Sequence, residues 1–478
     1  MLGCSANRPW RYDYNSETQP INCRKCGPLV IERDTSPNAP YDLAFIEFTD
    51  RGNLFSRTRL ESVYDLLERR LQDSSRCGGG LTAITYVHGW KHNARETDQD
   101  LVDFKRRLEE FSDVLRQRSE AQKTPPRCLL GIYVGWRGRS LNMMVARELT
   151  YWDRKSAAHQ LGKGGLTEVL ISLEQMIQRH NVSGSLADTG SKNRFLIIGH
   201  SFGATAVLSA LNEIILERVL TAQTHPLYDG CVVTRKFGHG TVLLNPAIEA
   251  NEILQLKEAF QRPNDGYCDN QQGLMHVIST RSDFANHKLF PLGQFIGTNL
   301  RWRQTKLARK ARPRDAQITI SEKQLDTTTI ANYRPFLTGY MYKKCDQWSY
   351  LSYKNEDKPY LPGRSREPGR NESCEPLPGS KIGQHFYARG NEPVNFIYTD
   401  RNFMEGHIGV FNQRVVAYLA AIVQENVSHA YGQNADVPKS CISGVDRVDF
   451  EKCFNYHLSV LSKLEKSQSY LRRVFTLD

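Results

Sequence analysis

The sequence lacks features that would each define a class of protein. None of its apolar runs approaches the roughly eighteen uninterrupted residues of a membrane span, so we predict no transmembrane helix. It contains no internal repeat. The single Cys-x-x-Cys, at 23–26, has no second such pair and no spaced histidine pair to complete a zinc site. We therefore expect a local disulfide or free thiols at 23–26, and we predict neither a metal nor another cofactor.

The composition is that of a folded protein with a positive charge. Hydrophobic residues make up 40% of the 478, which is enough for a sizeable core and argues against global disorder. The 63 Lys and Arg against 52 Asp and Glu give a net charge of +11, which favours anionic partners. We expect no nucleic-acid partner and consider an anionic membrane surface instead.

A basic stretch at 301–314 is the place where such a surface would bind. Its basic residues are Arg301, Arg303, Lys306, Arg309, Lys310, Arg312 and Arg314. Trp302 lies among them and could anchor at a lipid interface. The alternative is a solvated basic face without a partner, and both interpretations stay open.

The first residues contain a three-residue match to a localisation signal, and this match has two interpretations. Leu2-Gly3-Cys4 resembles the end of a bacterial lipoprotein signal, in which the cysteine is lipidated. The charged and apolar regions of such a signal are missing upstream. We expect either a lipoprotein of the cell envelope whose signal is cut short, or a chance match in a cytoplasmic protein.

From residue 41 onward, short apolar runs alternate with helical patterns. We predict strands at 43–48, 82–90, 129–136, 195–198, 241–247, 275–280 and 394–399. Helices are predicted at 59–71, 96–118, 168–177, 249–260 and 411–426, with another directly after residue 201. This alternation predicts an α/β fold with a doubly wound, mostly parallel sheet.

The predicted organisation has four parts. Residues 1–40 form an extended arm and 41–292 the main α/β core. Residues 293–390, rich in Tyr, Pro and Gly, form an insertion or lid. Residues 391–478 complete the core and add a tail.

The strongest motif is Gly199-His200-Ser201-Phe202-Gly203, which lies between a predicted strand and a predicted helix. Gly-x-Ser-x-Gly alone is a weak signal, but a preceding strand and a following helix are the context of a nucleophile elbow. Such a turn exposes the serine hydroxyl above the edge of the sheet. We therefore predict Ser201 as a nucleophile.

A serine nucleophile needs a histidine base and a carboxylate that orients it, and in this kind of fold they follow in the order Ser, acid, His. Asp283 follows the strand at 275–280, and His407 follows the strand at 394–399. We predict this pair, with Asp400 as the alternative acid. The other histidines weighed for the base are His276, His287 and His385.

An oxyanion site requires two N–H donors. One is predicted to be the backbone N–H of Phe202, directly after the nucleophile. The other is predicted from Trp90, in the loop that follows the strand at 82–90. His88 and His92 lie in this loop, but no third ligand is spaced to form a metal site with them, and we expect His88 to be structural.

Several motifs occur together in one known family. They are the run Val87-His88-Gly89-Trp90, the run 135–138, the Tyr151-x-Asp153-Arg154 segment, the motif around Ser201, the run 243–248 and the Ser279-x-x-x-Asp283 segment. Together they resemble the esterase-like bacterial alpha/beta-hydrolase family, whose functions are largely unknown. The resemblance covers about 82–292 and the segment around His407.

This resemblance implies an alpha/beta-hydrolase fold and hydrolysis of an ester or related acyl bond, with Ser201 as nucleophile, Asp283 as acid and His407 as base. The expected substrate is a carboxylic ester, with lipids included. The open alternatives are an amidase, peptidase or thioesterase with the same triad, and a binding protein without catalysis on the same scaffold.

Overall fold

A computed structural model describes most of the chain. The described residues are 8–12, 29–34, 40–136, 149–182, 193–224, 231–260, 267, 273–291, 294, 306–309, 318–344, 347–352, 360–362, 379–381, 393–425 and 458–459.

Strands and helices alternate along the first two thirds of the chain. The strands of the main sheet are β1 (Ile31–Asp34), β2 (Tyr41–Glu47), β3 (Leu81–Val87), β4 (Cys128–Gly135), β5 (Arg194–His200), β8 (Gly240–Leu244), β9 (Met275–Thr280), β12 (Gly339–Lys344), β13 (Gln347–Ser352) and β16 (Val394–Thr399). Separate two-stranded sheets are formed by β6 (Gln223–Thr224) with β7 (Val232–Val233), β10 (Lys306–Arg309) with β11 (Ile318–Ser321), and β14 (Tyr360–Pro362) with β15 (Gly379–Lys381). The α-helices are α1 (Arg57–Gln72), α2 (Gln99–Gln122), α3 (Leu149–Leu161), α4 (Thr167–Val182), α5 (Phe202–Leu220), α6 (Leu254–Ala259), α7 (Glu322–Thr327) and α8 (Gln413–Glu425).

Within the described residues, the main sheet has ten strands in the order β1-β2-β4-β3-β5-β8-β9-β16-β12-β13. The eight strands from β2 to β12 in this order pair in parallel, and the two edge strands β1 and β13 pair antiparallel. Helices flank this sheet. The structure therefore has the predicted α/β architecture with a mostly parallel central sheet.

The central strands are buried along their whole length, as expected of parallel strands covered by helices. Every residue of β3, β5 and β9 is buried. Helix α1 covers part of the sheet with the apolar stripe that the sequence predicts. Arg70 of the same helix is also buried, and its guanidinium bonds to the Asp42 carboxylate on β2.

Two regions differ from their expected description. Residues 31–34, in the predicted extended arm, form the edge strand β1. In the predicted insertion, 293–390, strand β12 pairs in parallel with β16 and extends the main sheet. The sequence analysis predicted no strand there, because the segment is rich in Tyr, Pro and Gly and shows no clear periodicity.

Among the described residues, no helix combines the length and the apolar character that crossing a membrane requires.

Candidate active site

Ser201 alone joins the end of β5 to the start of α5. Its backbone has φ 54° and ψ −118°, a region that residues other than glycine occupy rarely and at an energetic cost. A Cβ on Gly203 would lie 2.0 Å from the Val87 carbonyl oxygen, and one on Gly199 would lie 2.6 Å from the Ala204 Cα. Both positions require glycine, because strand, turn and helix approach each other this closely.

Ser201, His407 and Asp283 form a hydrogen-bonded chain. His407 Nε2 lies 2.7 Å from Ser201 Oγ, and His407 Nδ1 lies 2.9 Å from Asp283 Oδ2. Asp283 is fully buried, whereas 21% of the His407 side chain is exposed. In this arrangement an imidazole can accept the hydroxyl proton while the carboxylate fixes its tautomer and orientation.

The parallel sheet explains why residues so far apart in sequence meet. Strands β5, β9 and β16 run in the same direction, so their carboxyl ends lie at one edge of the sheet. Ser201 directly follows β5, Asp283 follows β9 and His407 lies in the turns after β16. This is the edge at which open α/β sheets bind their ligands.

The Asp283 carboxylate is held by the segment that follows it. The Asn286 backbone N–H donates to Asp283 Oδ1 at 3.0 Å, which leaves Oδ2 to face His407. Asn286 lies in the short π-helical turn Ala285–Leu289. Turns of this type are frequent at functional sites.

Asp400, the alternative acid, has a different role. Its Oδ1 accepts the backbone N–H groups of Asn402 at 2.8 Å and Phe403 at 3.1 Å, so the side chain caps the turn after β16. The contact to the His407 ring is made by Asp283.

The other candidate histidines have partners outside the chain of Ser201, His407 and Asp283. His276 lies within β9, where its Nδ1 is 2.8 Å from the Tyr418 hydroxyl, and burial lowers its pKa to about 3. His287 Nε2 is 3.0 Å from the Tyr398 hydroxyl. His385 lies outside the described residues.

The loop after β3 presses against the elbow, where the sequence predicts the oxyanion donors. A Cβ on Gly89 would lie 3.0 Å from the Ser201 Cβ, so glycine allows the backbone to pass directly beside the serine. The rings of Trp90 and Phe202 are 6.2 Å apart. The two residues predicted to supply the donors therefore lie on facing segments next to Ser201.

His88 holds this loop in place. Its Nε2 accepts the Trp136 backbone N–H at 3.1 Å, its Nδ1 lies 2.9 Å from the Gly89 carbonyl oxygen, and its ring stacks on the Trp136 indole. Burial lowers the pKa of His88 to about 4, so the ring is neutral at pH 7. His92 instead contacts Asp98, at 2.9 Å. The His88 bond to Trp136 therefore links the loop after β3 to the end of β4, and the His92 bond links the same loop to the start of α2.

Two residues that the sequence analysis did not single out hold the backbone of His407. The carbonyl oxygen of His407 lies 2.9 Å from His200 Nε2 and accepts the Asn245 amide N–H at 3.0 Å. Asn245 also donates to the Gly406 carbonyl oxygen at 3.2 Å. His200 is part of the motif around Ser201, and Asn245 is part of the run 243–248. Neither motif predicts a contact with the His407 backbone.

Ser282 ties the same loop to the acid. The Gly406 N–H donates to Ser282 Oγ at 2.8 Å, and Ser282 Oγ donates to the Met404 carbonyl oxygen at 3.1 Å. The His407 loop is therefore attached to the last residue of β5 and to the segments that follow β8 and β9.

Several predicted sites fall partly or wholly outside the described residues. These are Cys4, the Cys-x-x-Cys at 23–26, and the basic stretch except Lys306 and Arg309 on β10. Arg309 forms an ion pair with Glu258.

Comparisons of this chain with protein-family models, with curated proteins and with solved structures found no match.

Proposed function

We propose that the protein is a serine hydrolase that cleaves carboxylic esters on an alpha/beta-hydrolase fold. The observation that carries this proposal is the hydrogen-bonded chain from Ser201 through His407 to the fully buried Asp283. Further support comes from the order Ser, Asp, His along the chain and from a serine between a strand and a helix, both of which are typical of this fold.

In the proposed reaction, Ser201 Oγ attacks the carbonyl carbon of the ester while His407 Nε2 accepts the hydroxyl proton. The resulting oxyanion is bound by the backbone N–H groups of Phe202 and Trp90. His407 then gives its proton to the leaving alkoxide, and an acyl-enzyme forms as the C–O bond breaks. Water, deprotonated by His407, attacks the acyl-enzyme; the acyl–Oγ bond then breaks as His407 returns the proton to Ser201 Oγ, which releases the acid and restores Ser201.

Exposed apolar side chains around the triad support an ester with an apolar acyl group. Phe284 follows Asp283 directly and is 64% exposed, and Ile408 follows His407 directly and is 75% exposed. Leu289, at the end of the adjacent π-helical turn, is also exposed. Exposed apolar side chains can mark a binding surface, and here two of them are the direct sequence neighbours of Asp283 and His407.

An amidase, peptidase or thioesterase would use the same triad, and the scaffold could also bind ligands without catalysis. An ester is favoured because the residues next to Asp283 and His407 in sequence, Phe284 and Ile408, are apolar and exposed. A site for a peptide would need protein groups that form hydrogen bonds with the backbone of the peptide.

Labelling with a fluorophosphonate tests the nucleophile without a guess at the substrate. The wild type should be labelled, and Ser201→Ala should be neither labelled nor active on p-nitrophenyl esters, with an unchanged thermal unfolding midpoint. Loss of a triad member typically costs several orders of magnitude in rate. Asp283→Asn should be severely impaired and Asp400→Asn nearly unaffected. Unlabelled wild-type protein, or labelled Ser201→Ala, would refute the proposal.

A series of p-nitrophenyl esters with increasing acyl length tests whether Phe284 and Ile408 contact the acyl group. Phe284→Ser and Ile408→Ser should lower kcat/KM for long acyl chains by about tenfold and leave the shortest ester nearly unchanged, because full burial of such a side chain contributes about 1.5–3 kcal/mol and an acyl chain would bury it only in part. Leu220→Ser is the matched control. Leu220 is 48% exposed at the far end of α5, about 27 Å along the helix from Phe202. An equal loss on all esters would exclude an acyl-binding role.

A further inference from the structure

A polar cluster lies where α3 meets the loop after β8. Helix α3 supplies Lys155 and His159, and the loop supplies Glu249 and Glu252. His159, Glu249 and Glu252 each offer one ligand atom, and these atoms all lie within 4.8 Å of one another. The sequence analysis predicted no site here, since the residues are about ninety positions apart.

The Glu249 carboxylate has one oxygen with partners and one without. Its Oε1 accepts hydrogen bonds from Lys155 Nζ and Gln294 Nε2. Its Oε2 is buried and has no hydrogen-bond partner. Glu249 as a whole is 8% exposed, so water has little access to this oxygen. A buried carboxylate oxygen without a partner is costly, and such atoms in folded proteins call for an explanation such as a bound ion.

The His159 ring is oriented for ligation. Its Nδ1 lies 2.9 Å from the Ser209 hydroxyl on α5, so Nε2 is the nitrogen that remains for a ligand. Metal-binding histidines are commonly held in this way through their other ring nitrogen. Glu252 is exposed, which gives an ion a path from solvent.

We propose that His159, Glu249 and Glu252 bind a divalent transition-metal ion of the Zn²⁺ class, with water completing the coordination. One imidazole and two carboxylates are a ligand set that Zn²⁺ accepts, whereas Ca²⁺ prefers six to eight oxygen atoms. Among the described residues, three carboxylates, those of Glu249, Glu252 and nearby Asp326, outnumber the two ammonium groups that act on this cluster, those of Lys155 and Lys163.

The ion would have a structural role beside the elbow. The loop that carries Glu249 also carries Ala247, whose N–H donates to the Ser201 carbonyl oxygen at 3.3 Å and whose own carbonyl oxygen accepts the Thr205 hydroxyl. A metal between α3 and this loop would therefore fix the loop that supports the nucleophile turn. The inference does not depend on the proposed hydrolase activity.

The test is metal stoichiometry and thermal unfolding of the full chain with Cys23→Ser and Cys26→Ser, which removes the Cys-x-x-Cys thiols as zinc ligands. After chelation and equilibration with Zn²⁺, mass spectrometry should find one more zinc per chain than in the same protein with His159→Ala or Glu252→Ala. Zinc should raise the unfolding midpoint of the parent protein, and Mg²⁺ and Ca²⁺ should not. Each single variant should bind zinc at least about tenfold more weakly.

The matched control is His180→Ala, which removes an imidazole that contacts Glu68 on a neighbouring helix. This variant should retain the zinc and the shift in unfolding midpoint. Glu252 is exposed, so Glu252→Ala should fold even if a change at the buried Glu249 does not. Equal zinc content in the parent protein, His159→Ala and Glu252→Ala, or a stabilisation by Ca²⁺ rather than Zn²⁺, would overturn the proposal.

Discussion

Asn245 shows how a single side chain can organise the candidate site. Its backbone has φ 43°, a left-handed conformation that asparagine tolerates better than most residues. Its amide donates to the carbonyl oxygens of Gly406 and His407, and its Oδ1 accepts the Thr280 N–H at 3.1 Å. Asn245 therefore links the ends of β8 and β9 to the loop that carries the base, and we assign it a positioning role.

We expect Asn245→Gly to lower kcat by about ten- to a hundredfold with little change in KM, since small misplacements of a catalytic group are costly. The rate of fluorophosphonate labelling should fall in parallel. Glycine keeps the left-handed backbone accessible, so Asn245→Gly separates the lost hydrogen bonds from strain, whereas Asn245→Ala adds that strain and should also lower the unfolding midpoint. A glycine variant with normal kcat and labelling would contradict the positioning role.

At the scale of elements, the candidate site and a disulfide lie at opposite ends of the strands. The candidate site occupies the carboxyl edge. Near the amino edge, a disulfide joins Cys77, shortly before β3, to Cys128, the first residue of β4. Structural disulfides of this kind are typical of oxidising compartments.

Removing this disulfide should reduce stability without removing the site. For the 51-residue separation, the loss of chain constraint corresponds to at most about 4 kcal/mol of unfolding free energy. We expect Cys77→Ser with Cys128→Ser to unfold at a lower temperature or urea concentration, while fluorophosphonate labelling at 20 °C, well below unfolding, persists. If labelling is lost in protein that is still folded, the two edges are coupled more tightly than the structure implies.

At the scale of the whole molecule, buried neutral histidines make stability depend on pH. Burial lowers the pKa of His88 to about 4, and those of His239 and His276 to about 3. In the unfolded chain these rings titrate near 6.5. Between the folded and unfolded values the unfolded state binds more protons, so the stabilising contribution is present above about pH 6.5 and is lost as the pH falls towards 3–4.

Urea unfolding at pH 7, 6, 5 and 4 measures this dependence. The free energy of unfolding should fall with decreasing pH, and each such histidine contributes at most about 1.4 kcal/mol per pH unit. His276→Gln should lower stability at pH 7 but make the decline below pH 6 shallower, because glutamine does not titrate. Identical slopes for His276→Gln and the wild type would show that His276 is not the neutral buried group that its surroundings imply.

The sequence by itself determined the alternation of strands and helices, the turn at Ser201 and the order of the candidate residues. Local patterns suffice for these, because apolar periodicity and glycine spacing act over a few residues. Strands β9 and β16 have the bounds that the sequence predicts. Helix α3 was not predicted, because its apolar and polar residues do not separate into clear faces.

Only the tertiary structure decided which side chains meet. Asp283 rather than Asp400 faces His407, β12 and β13 extend the main sheet, and His200 and Asn245 hold the His407 backbone. The hydrogen bond between Asn245 and His407 joins residues 162 positions apart. No local pattern records such a pairing, because it depends on the order of the strands in the sheet and on the paths of the loops at its carboxyl edge, which are set by packing of the whole core.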